Sequence, residues 1–284
     1  MSSVDADRVR RNSEPKMVRL RESIASCKSA LVAFSAGVDS TLVLAVAREV
    51  LGDRAMALTA HSPAVPAAER EEARALAARM GVRHLEVASR EQDDPRYVAN
   101  GLDRCYYCKS ELYRLCEELA RREGLAVILD GFNADDLADH RPGQRAARER
   151  RVRSPLAEAG LSKLEVRAWS AALGLPTADK PQMACLASRI PYGTPVTPER
   201  LRQIERAEAA LRALGLREIR VRHHGDIGRI EVSEGELQEA FSRREGLAAA
   251  VKGAGFKLAV LDLEPFRSGR MNALAGLSLP VVGP

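Results

Sequence analysis

Short apolar runs alternate with helical patterns over the first two thirds of the chain, and this alternation restricts the fold most strongly. The predicted strands are the apolar runs at residues 30–34, 55–60, 82–87 and 125–130. The last of them is apolar almost throughout, as expected of a buried parallel strand. Strands joined by helices form βαβ units with right-handed crossovers. The sequence therefore predicts an α/β domain with a doubly wound parallel sheet that helices cover on both faces.

The order of elements changes in the last third of the chain. Five prolines fall between residues 176 and 198. A packed core would exclude so many breakers, so we expect a surface segment there. The pattern beyond it predicts a helix at 198–214, strands near 217–222 and 227–232, a helix at 235–252 and a strand at 256–262. With 284 residues, and roughly 150 residues per domain, we predict an α/β domain at 1–180, a linker at 181–197 and a smaller α+β domain at 198–284.

The net charge of +5 is local. Residues 141–153 contain six arginines and one glutamate, so the charge of the remaining chain sums to zero. Nucleic-acid-binding proteins have a broad basic surface instead. No run approaches the ~20 apolar residues that a membrane span requires, and the five unevenly spaced cysteines argue against a disulfide framework. We therefore expect a cytoplasmic protein that binds neither membranes nor nucleic acid.

The turn after the first predicted strand carries the strongest chemical signal. It reads FSAGVDST at residues 34–41 and opens a helix. Backbone N–H groups at the positive end of a helix bind phosphate oxygens without a charged side chain. The alternative is a plain serine-capped turn, and the sequence fits neither a Walker P-loop nor a dinucleotide-binding turn. The predicted phosphate-binding residues are Ser35, Gly37, Val38, Asp39 and Ser40.

This segment resembles the PP-loop of the ATP pyrophosphatases, whose motif it follows as S-x-G-x-D-S. The resemblance implies an enzyme that cleaves ATP between the α and β phosphates and transfers AMP to an oxygen of its substrate. A nitrogen or sulfur nucleophile then displaces the AMP. Ala36 replaces the first glycine of the family pattern, a departure that is tolerable if φ at this position is negative. By the same resemblance, Ala60, His61 and Ser62 line the adenine pocket and Gly131 approaches the α-phosphate.

Three further segments resemble the sacrificial sulfur transferases, the LarE family. They are DGFNADD at 130–136 with RPG at 141–143, ACLASR at 184–189, and LDLE at 261–264 with RSG at 267–269. The resemblance implies that ATP and Mg²⁺ activate a carboxylate of a pyridinium dicarboxylate mononucleotide. Sulfur attack then gives a thiocarboxylate in the synthesis of the nickel-pincer nucleotide cofactor of lactate racemase. The resemblance also implies a homo-oligomer, with a hexamer built from trimers.

Cys185 lies where this family keeps its sulfur donor. In the sacrificial reaction the cysteine attacks the acyl adenylate and loses its Cα proton. The Cβ–S bond then breaks and leaves dehydroalanine. Because the thiolate is the nucleophile, a nearby arginine such as Arg189 would favour it. Cys185 and Arg189 are therefore the predicted catalytic residues, and a buried structural cysteine is the alternative.

Cys105 and Cys108 suggest a second source of sulfur. They form C-Y-Y-C at the start of a predicted helix, where positions three apart share one face. With Cys185 they supply three thiolates, enough to hold a 4Fe–4S cluster with one iron open for an extra sulfide. Some members of the LarE family resemble this chain in carrying the same C-x-x-C-K run. Zinc and an unligated thiol pair are the alternatives, whereas Cys27 and Cys116 are expected to be packing residues.

Two arginines are predicted to bind the substrate phosphate. Arg220 and Arg222 lie two apart on a predicted strand, so their side chains share a face. The alternative is a solvated strand face. The resemblance also points, weakly, to a divalent-metal site at Asp136, Glu208 and Glu239, although the family pattern has Asp at the last position.

Two other functions are compatible with these motifs. A PP-loop tRNA thiolase can also combine this loop with a three-cysteine iron–sulfur cluster, but no RNA-binding module is readable in this chain. A non-catalytic nucleotide- or zinc-binding scaffold would release no pyrophosphate. We therefore predict an ATP-dependent sulfurtransferase. The arginine-rich run at 141–153 is then expected to be a mobile loop over the triphosphate, with disorder and partner docking as alternatives.

Overall fold

The structure is a computed structural model that describes residues 3–138, 142–181 and 184–267. The described chain divides into two compact units. The first unit contains residues 3–62, 67–91 and 105–181, and the second contains residues 63–66, 92–104 and 184–267. The segment at 184–197, expected to be a linker, therefore belongs to the second unit.

A parallel four-stranded sheet forms the centre of the first unit. Its strands are β1 (Ala30–Ala33), β2 (Ala55–His61), β3 (Arg83–Ala88) and β4 (Val127–Leu129). They lie in the order β3-β2-β1-β4 and all neighbours pair in parallel. Along β1, Leu31 packs into one apolar cluster and Val32 into another, because successive side chains point to opposite faces. The predicted α/β fold is confirmed.

Helices connect and cover these strands. The α-helices of the described chain are α1 (Ser3–Ala25), α2 (Val38–Leu51), α3 (Ala67–Arg79), α4 (Pro95–Val98), α5 (Arg104–Glu123), α6 (Pro142–Glu149), α7 (Pro155–Ala159), α8 (Lys163–Ala172), α9 (Pro198–Ala213), α10 (Leu237–Ser242) and α11 (Arg244–Gly253). As far as they are described, none of these helices is both long and apolar enough to cross a membrane. In the first unit α2 follows β1 directly, so its first turn continues the phosphate-binding segment.

The arginine-rich run is not a mobile loop where the structure describes it. Residues 142–149 form α6, while Arg141 lies outside the described residues. The small residues Gly143, Ala146 and Ala147 are buried on one face of this helix. The expectation of a loop was wrong because three small residues at helical spacing pack closely enough to hold the helix.

The second unit contains a three-stranded sheet. Its strands are β5 (Ile219–His224), β6 (Ile227–Val232) and β7 (Leu258–Leu261), in the order β5-β6-β7. β5 and β6 form an antiparallel hairpin, and β7 pairs in parallel with β6. The order of helices and strands agrees with the sequence prediction, except that the predicted helix at 235–252 is interrupted at Arg243 and becomes α10 and α11.

The proline-rich segment is not confined to the surface. Ala187, Arg189 and Val196 are fully buried in the second unit. Nδ2 of the buried Asn100 donates to the carbonyls of Pro191 (2.8 Å) and Thr194 (2.9 Å). The expectation of a surface segment was wrong because a side chain from another part of the unit satisfies carbonyls that this irregular backbone cannot pair itself.

Candidate functional site

The predicted phosphate-binding turn lies at the carboxyl edge of the parallel sheet. It connects the end of β1 to the start of α2. β1 has β2 on one side and β4 on the other. The chain moves outward from β1 through β2 to β3 and then returns to the opposite side of β1 for β4. In open α/β sheets ligands bind in the crevice at such a reversal of strand order.

Two serine hydroxyls brace the turn. Oγ of Ser40 donates to the carbonyl of Gly37 (3.2 Å) and accepts from the backbone N–H of Ser35 (3.3 Å). The hydroxyls of Ser35 and Ser40 lie 3.2 Å apart. Gly37 precedes Val38, the first residue of α2, and no side chain caps this helix. The amide groups of its first turn are therefore available to an anion.

Ala36 departs from the expected backbone conformation. Its φ is +53°, in the left-handed region, and its side chain is fully buried. The condition of a negative φ is not met, because the path from β1 into α2 here takes a conformation that only glycine adopts freely. For L-alanine this costs roughly 1–2 kcal/mol. The carbonyl of Ala36 accepts a hydrogen bond from Nζ of Lys180 (3.1 Å), a residue that the sequence analysis did not single out.

Gly131 is required by a close approach between two elements. A Cβ atom on Gly131 would lie 2.8 Å from the backbone nitrogen of Ser40 and 3.2 Å from the backbone carbon of Asp39. The turn after β4 therefore touches the start of α2, beside the phosphate-binding amides. Asp130, directly before it, is buried and accepts a hydrogen bond from the hydroxyl of Tyr113 (2.8 Å). Burial raises the pKa of the Asp130 carboxyl.

Asp39, the acidic residue of the turn, has two side-chain partners. Its Oδ1 accepts from Nδ2 of Asn133 (3.0 Å), and its Oδ2 forms an ion pair with Nζ of Lys163. Lys163 is the first residue of α8, which begins at a capping box formed by Ser162 and Glu165. The sequence analysis included Asn133 in the motif at 130–136 without pairing it with Asp39, and it did not single out Lys163. The carboxylate therefore has a fixed orientation beside the turn, and a lysine balances its charge.

The predicted adenine-binding residues follow the same sheet edge. They are the last two residues of β2, Ala60 and His61, and the next residue, Ser62. Just before them, Thr59 donates to the carbonyl of Phe34 (2.7 Å), and its hydroxyl lies 2.8 Å from Nε2 of His84. Since Thr59 uses its proton for Phe34, Nε2 of His84 must be the donor. Burial lowers the pKa of His84, which favours the neutral ring.

The residues predicted for a divalent metal make other contacts. Asp136 in the first unit accepts from the backbone N–H of Asn133 (3.0 Å). In the second unit Glu208 binds arginines, and Glu239 on α10 pairs with Arg243 (2.9 Å). Across the part of the chain that the structure describes, no three or more His, Cys, Asp or Glu side chains form a group that could hold a metal ion.

The five cysteines, none of them in a disulfide, fall into two groups by burial. Cys27 and Cys116 are buried, and burial raises the pKa of the Cys116 thiol to about 12, consistent with the predicted packing role. Cys105 is exposed and Cys108 is half-buried, and both lie in the first turn of α5 in the first unit. Cys185 is exposed in the second unit, directly before a short 3₁₀ turn.

Helix α6 packs against the turn that carries the cysteine pair. The guanidinium of Arg145 lies 3.7 Å from the centre of the Tyr106 ring, and the Tyr106 hydroxyl donates to Glu149 (2.6 Å). A Cβ atom on Gly143 would lie 2.9 Å from Cγ of Lys109, so only glycine fits there. The arginine-rich run therefore supports the C-Y-Y-C-K segment, a contact that the sequence analysis did not foresee.

Arg189 organises the loop that carries Cys185. It is fully buried, and its Nε donates to Oε1 of Glu208 (2.8 Å). Its Nη1 donates to the carbonyl of Cys185 (3.1 Å) and to the hydroxyl of Ser188 (3.1 Å). Burial alone would raise the pKa of Glu208, but the charge and hydrogen bonds of Arg189 outweigh it and hold the pKa below its usual value. These contacts of Arg189 fix the backbone of the loop.

Arg222 connects this loop to the sheet of the second unit. The side chain is buried, with Nε bonded to Oε2 of Glu231 (2.9 Å) and Nη1 to the carbonyl of Ser188 (2.9 Å). Arg222 therefore belongs to a buried network and not to a solvated strand face. The network ends three residues from Cys185, on the loop that carries it.

Arg220 lies on the same face of β5 and is also buried. Its guanidinium lies 4.8 Å from the centre of the Phe266 ring, a partner that the sequence analysis missed. Burial, followed by the charge of Arg189, lowers the pKa of Arg220 to about 10. A guanidinium in such surroundings gains when an anion binds beside it. The two predicted arginines thus share one buried basic face of β5, and its binding of a phosphate stays a prediction.

Arg104 is a further residue that the sequence analysis missed. It is buried in the second unit, where its Nη1 donates to the carbonyl of Ala187 (3.0 Å). Ala187 lies two residues after Cys185, and Arg104 directly precedes Cys105 in the chain. The residue that leads into the cysteine pair is therefore bonded to the loop that carries the third cysteine.

Comparisons with known proteins agree with this geometry. The chain matches the asparagine synthase family over residues 20–229. It is 37% identical over 258 residues to the pyridinium-3,5-bisthiocarboxylic acid mononucleotide synthase of Lactiplantibacillus plantarum, a match that covers 90% of this chain and 94% of that protein. An uncharacterized protein of Synechocystis is 46% identical over 262 residues, covering 91% and 97% of the two chains. An uncharacterized protein of Methanocaldococcus jannaschii is 30% identical over 173 residues, covering 61% and 68%.

These matches extend beyond the phosphate-binding turn. The asparagine synthase match includes the whole parallel sheet and reaches β6 of the second unit. The match to the Lactiplantibacillus synthase covers nearly the full length of both proteins. Such a PP-loop enzyme uses ATP to adenylate its substrate and releases pyrophosphate. The chain therefore belongs to the LarE family of ATP-dependent sulfurtransferases, within the PP-loop superfamily.

Proposed function

We propose that this enzyme converts a carboxylate of a pyridinium dicarboxylate mononucleotide into a thiocarboxylate, a step in making the nickel-pincer nucleotide. The name of the Lactiplantibacillus relative supports this substrate. One observation carries the proposal. Arg222, on the buried basic face, donates to the carbonyl of Ser188 (2.9 Å), on the loop of the exposed Cys185. A substrate whose phosphate binds this face would lie beside the loop that carries a reactive sulfur.

In the first step, a carboxylate oxygen of the substrate attacks the α-phosphorus of ATP, and pyrophosphate leaves. The backbone amides of Val38, Asp39 and Ser40, at the positive end of α2, hold the phosphate oxygens. Mg²⁺ would supply positive charge to the leaving pyrophosphate. Asp39 has the oxygen atoms that Mg²⁺ prefers, and Lys163 would have to leave its Oδ2 for the ion to bind there.

In the second step, sulfur attacks the carbonyl carbon of the acyl adenylate, and AMP leaves. We propose that Cys105, Cys108 and Cys185 hold a 4Fe–4S cluster, which would supply a sulfide as the nucleophile. Cys105 and Cys185 are exposed and Cys108 is half-buried. The C-x-x-C spacing of Cys105 and Cys108 and the exposure of Cys185 support this ligand set.

The alternative source of sulfur is Cys185 itself. Its thiolate would attack the acyl adenylate and displace AMP, which forms a thioester. Loss of the Cα proton would then break the Cβ–S bond, leaving the thiocarboxylate on the substrate and dehydroalanine at position 185. The exposure of Cys185 suits this route as well.

Anaerobic purification with iron and acid-labile sulfide analysis distinguishes the two sources. With a cluster, the protein is brown and contains about four irons per chain. Cys105→Ala should then abolish the colour, whereas Cys27→Ala, which removes a buried cysteine, should leave the iron content unchanged. A colourless protein that becomes lighter by H₂S at Cys185 after turnover would instead establish the sacrificial route. If ATP and the mononucleotide together release no pyrophosphate, the proposed function itself is wrong.

A further inference from the structure

The ATP-binding turn contains a strained residue. Ala36 has a φ of +53° and is fully buried. An L-residue in this region is disfavoured because its Cβ lies too close to the following carbonyl. Relaxation of Ala36 would rotate the peptide groups on either side, which belong to the phosphate-binding turn. Such strain persists only where surrounding contacts enforce it.

Lys180 makes a contact of this kind. Its Nζ donates to the carbonyl of Ala36 (3.1 Å) and to the carboxylates of Glu69 (2.9 Å) and Glu72 (2.7 Å) on α3. An ammonium group has three N–H donors, so these three acceptors use all of them. The side chain is 12% exposed. Lys180 is therefore bonded in one direction to the turn and in the other to α3.

The backbone of Lys180 is itself held by α8. Nη1 and Nη2 of Arg167 donate to the carbonyls of Ala178 (2.7 Å) and Lys180 (2.8 Å). The N–H of Lys180 donates to the carbonyl of Thr177 (3.1 Å). These hydrogen bonds fix the backbone of Lys180, so its ammonium has a defined position beside the carbonyl of Ala36.

The hydrogen bond from Lys180 sets the orientation of the peptide group between Ala36 and Gly37. A trans peptide is planar, and its N–H points away from its C=O. Since the carbonyl of Ala36 is directed at Lys180, the N–H of Gly37 is directed to the opposite side. Gly37 is the N-cap residue of α2, where anions bind.

We propose that Lys180 is a positioning residue for ATP, which fixes the Ala36–Gly37 peptide so that the N–H of Gly37 faces the phosphates. This inference rests on the ATP-binding turn of the proposed function. Glu69 and Glu72 already neutralise the charge of Lys180, so the ammonium acts on the turn and not on the triphosphate. A direct bond to phosphate would require Lys180 to leave both carboxylates.

Calorimetric titration with ATP tests the inference in Lys180→Met, Ala36→Gly and the double variant. We expect Lys180→Met to weaken ATP binding about five- to thirtyfold. This ratio corresponds to the free-energy cost of an alanine held in the left-handed region. Because glycine adopts this φ freely, Ala36→Gly should restore most of the lost affinity in the double variant. A direct phosphate contact predicts no restoration. That outcome, or unchanged affinity in Lys180→Met, overturns the inference.

Hydrogen exchange of residues 34–41 in the ATP-free protein separates this inference from the proposed function. Lys180→Met should speed exchange at Gly37, and unchanged exchange would count against the positioning role even if ATP binds. If the wild type binds no ATP, the proposed ATP site fails while the exchange result still stands. Arg83→Met is the control, because Arg83 pairs with Glu123 at the start of β3 in the same unit and should change neither readout. Should Lys180→Met fold poorly, Arg167→Met loosens the same segment, and Ala36→Gly should again restore ATP affinity.

Discussion

The two units carry predicted anion sites of different composition. The first would use backbone amides at the start of α2, and the lysines beside this turn are paired with carboxylates. The second would use the buried side chains of Arg220 and Arg222. A backbone site buries no net charge and depends on the geometry of a few peptide groups. A buried arginine site carries a desolvation cost that ion pairs or an anion must offset. We therefore expect substitutions in the first unit to act by displacing backbone atoms. Substitutions in the second unit should act by changing the balance of buried charge.

The largest effect should come from the buried ion pair of the second unit. Arg189 and Glu208 are 0% and 1% exposed and are joined by two hydrogen bonds. Glu208→Gln would leave the guanidinium without its ionised partner, which should lower the free energy of unfolding by about 3 kcal/mol at neutral pH. Urea denaturation measures this change. Glu71→Gln, at an exposed pair with Arg74, should change stability by less than about 1 kcal/mol.

The same variant should alter the pH dependence of stability. The pKa of Glu208 is lowered in the folded protein, below its ordinary value of 4.5. The contribution of its ionised form is therefore complete above pH 4.5 and is lost as the pH falls through the folded pKa. The difference in unfolding free energy between wild type and Glu208→Gln should shrink below pH 4.5. A constant difference down to pH 3 would mean that the loss comes from packing instead.

The next prediction concerns a substitution that should affect the mononucleotide but not ATP. Arg220→Met keeps an unbranched apolar chain but removes the guanidinium and its charge. We expect the KM for the mononucleotide to rise about tenfold to a hundredfold, the loss of a charged hydrogen bond, with ATP affinity unchanged. Arg217→Met, at an exposed position just before the same strand, is the control. An equal loss of affinity for both ligands would make Arg220 a structural residue.

A substitution that displaces backbone atoms in the first unit should weaken binding of ATP and leave binding of the mononucleotide unchanged. Gly131→Ala would put a Cβ atom 2.8 Å from the backbone nitrogen of Ser40, so one of the two turns must move. Overpacking of this kind costs roughly 1–3 kcal/mol, and we expect ATP binding to weaken by about tenfold or more. Binding of the mononucleotide should not change. Gly235→Ala, where a new Cβ meets no atom within 4 Å, serves as the control.

The sequence predicts the first site better than the second because the determinants of the first are local. The turn at 34–41 combines its amides and hydroxyls within eight consecutive residues, at a place fixed by one strand and one helix. In the second unit, Arg189 was assigned to the thiolate, but its carboxylate partner lies 19 residues further along the chain. Arg189 and Glu208 meet only because α9 packs against the loop, and the pattern of residues along the sequence does not reveal that packing.

The elements that the sequence did not predict share a physical cause. α1 contains a proline and many charges, yet Met17, Leu20 and Ile24 form a fully buried stripe. In α6 the buried positions are small residues among arginines, which resemble a solvated segment in composition. In both cases tertiary packing of one narrow face outweighs the average polarity of the helix. The strands β1, β2 and β4 were predictable because their side chains are apolar on both faces almost throughout. β3, which contains Arg83, His84 and Glu86, is less apolar.

The smallest effect concerns the strained alanine. Ala36→Gly should relieve roughly 1–2 kcal/mol of left-handed strain. It should also lower the free energy of unfolding by about as much, because glycine has greater freedom in the unfolded chain and lacks the buried methyl group. We therefore expect the free energy of unfolding to stay within about 0.5 kcal/mol of the wild type in urea denaturation. Ala47→Gly, at a buried helical position in α2 without such strain, should lose about 1.5 kcal/mol. Equal losses at the two positions would contradict the left-handed conformation of Ala36, and the backbone geometry assigned to the first site with it.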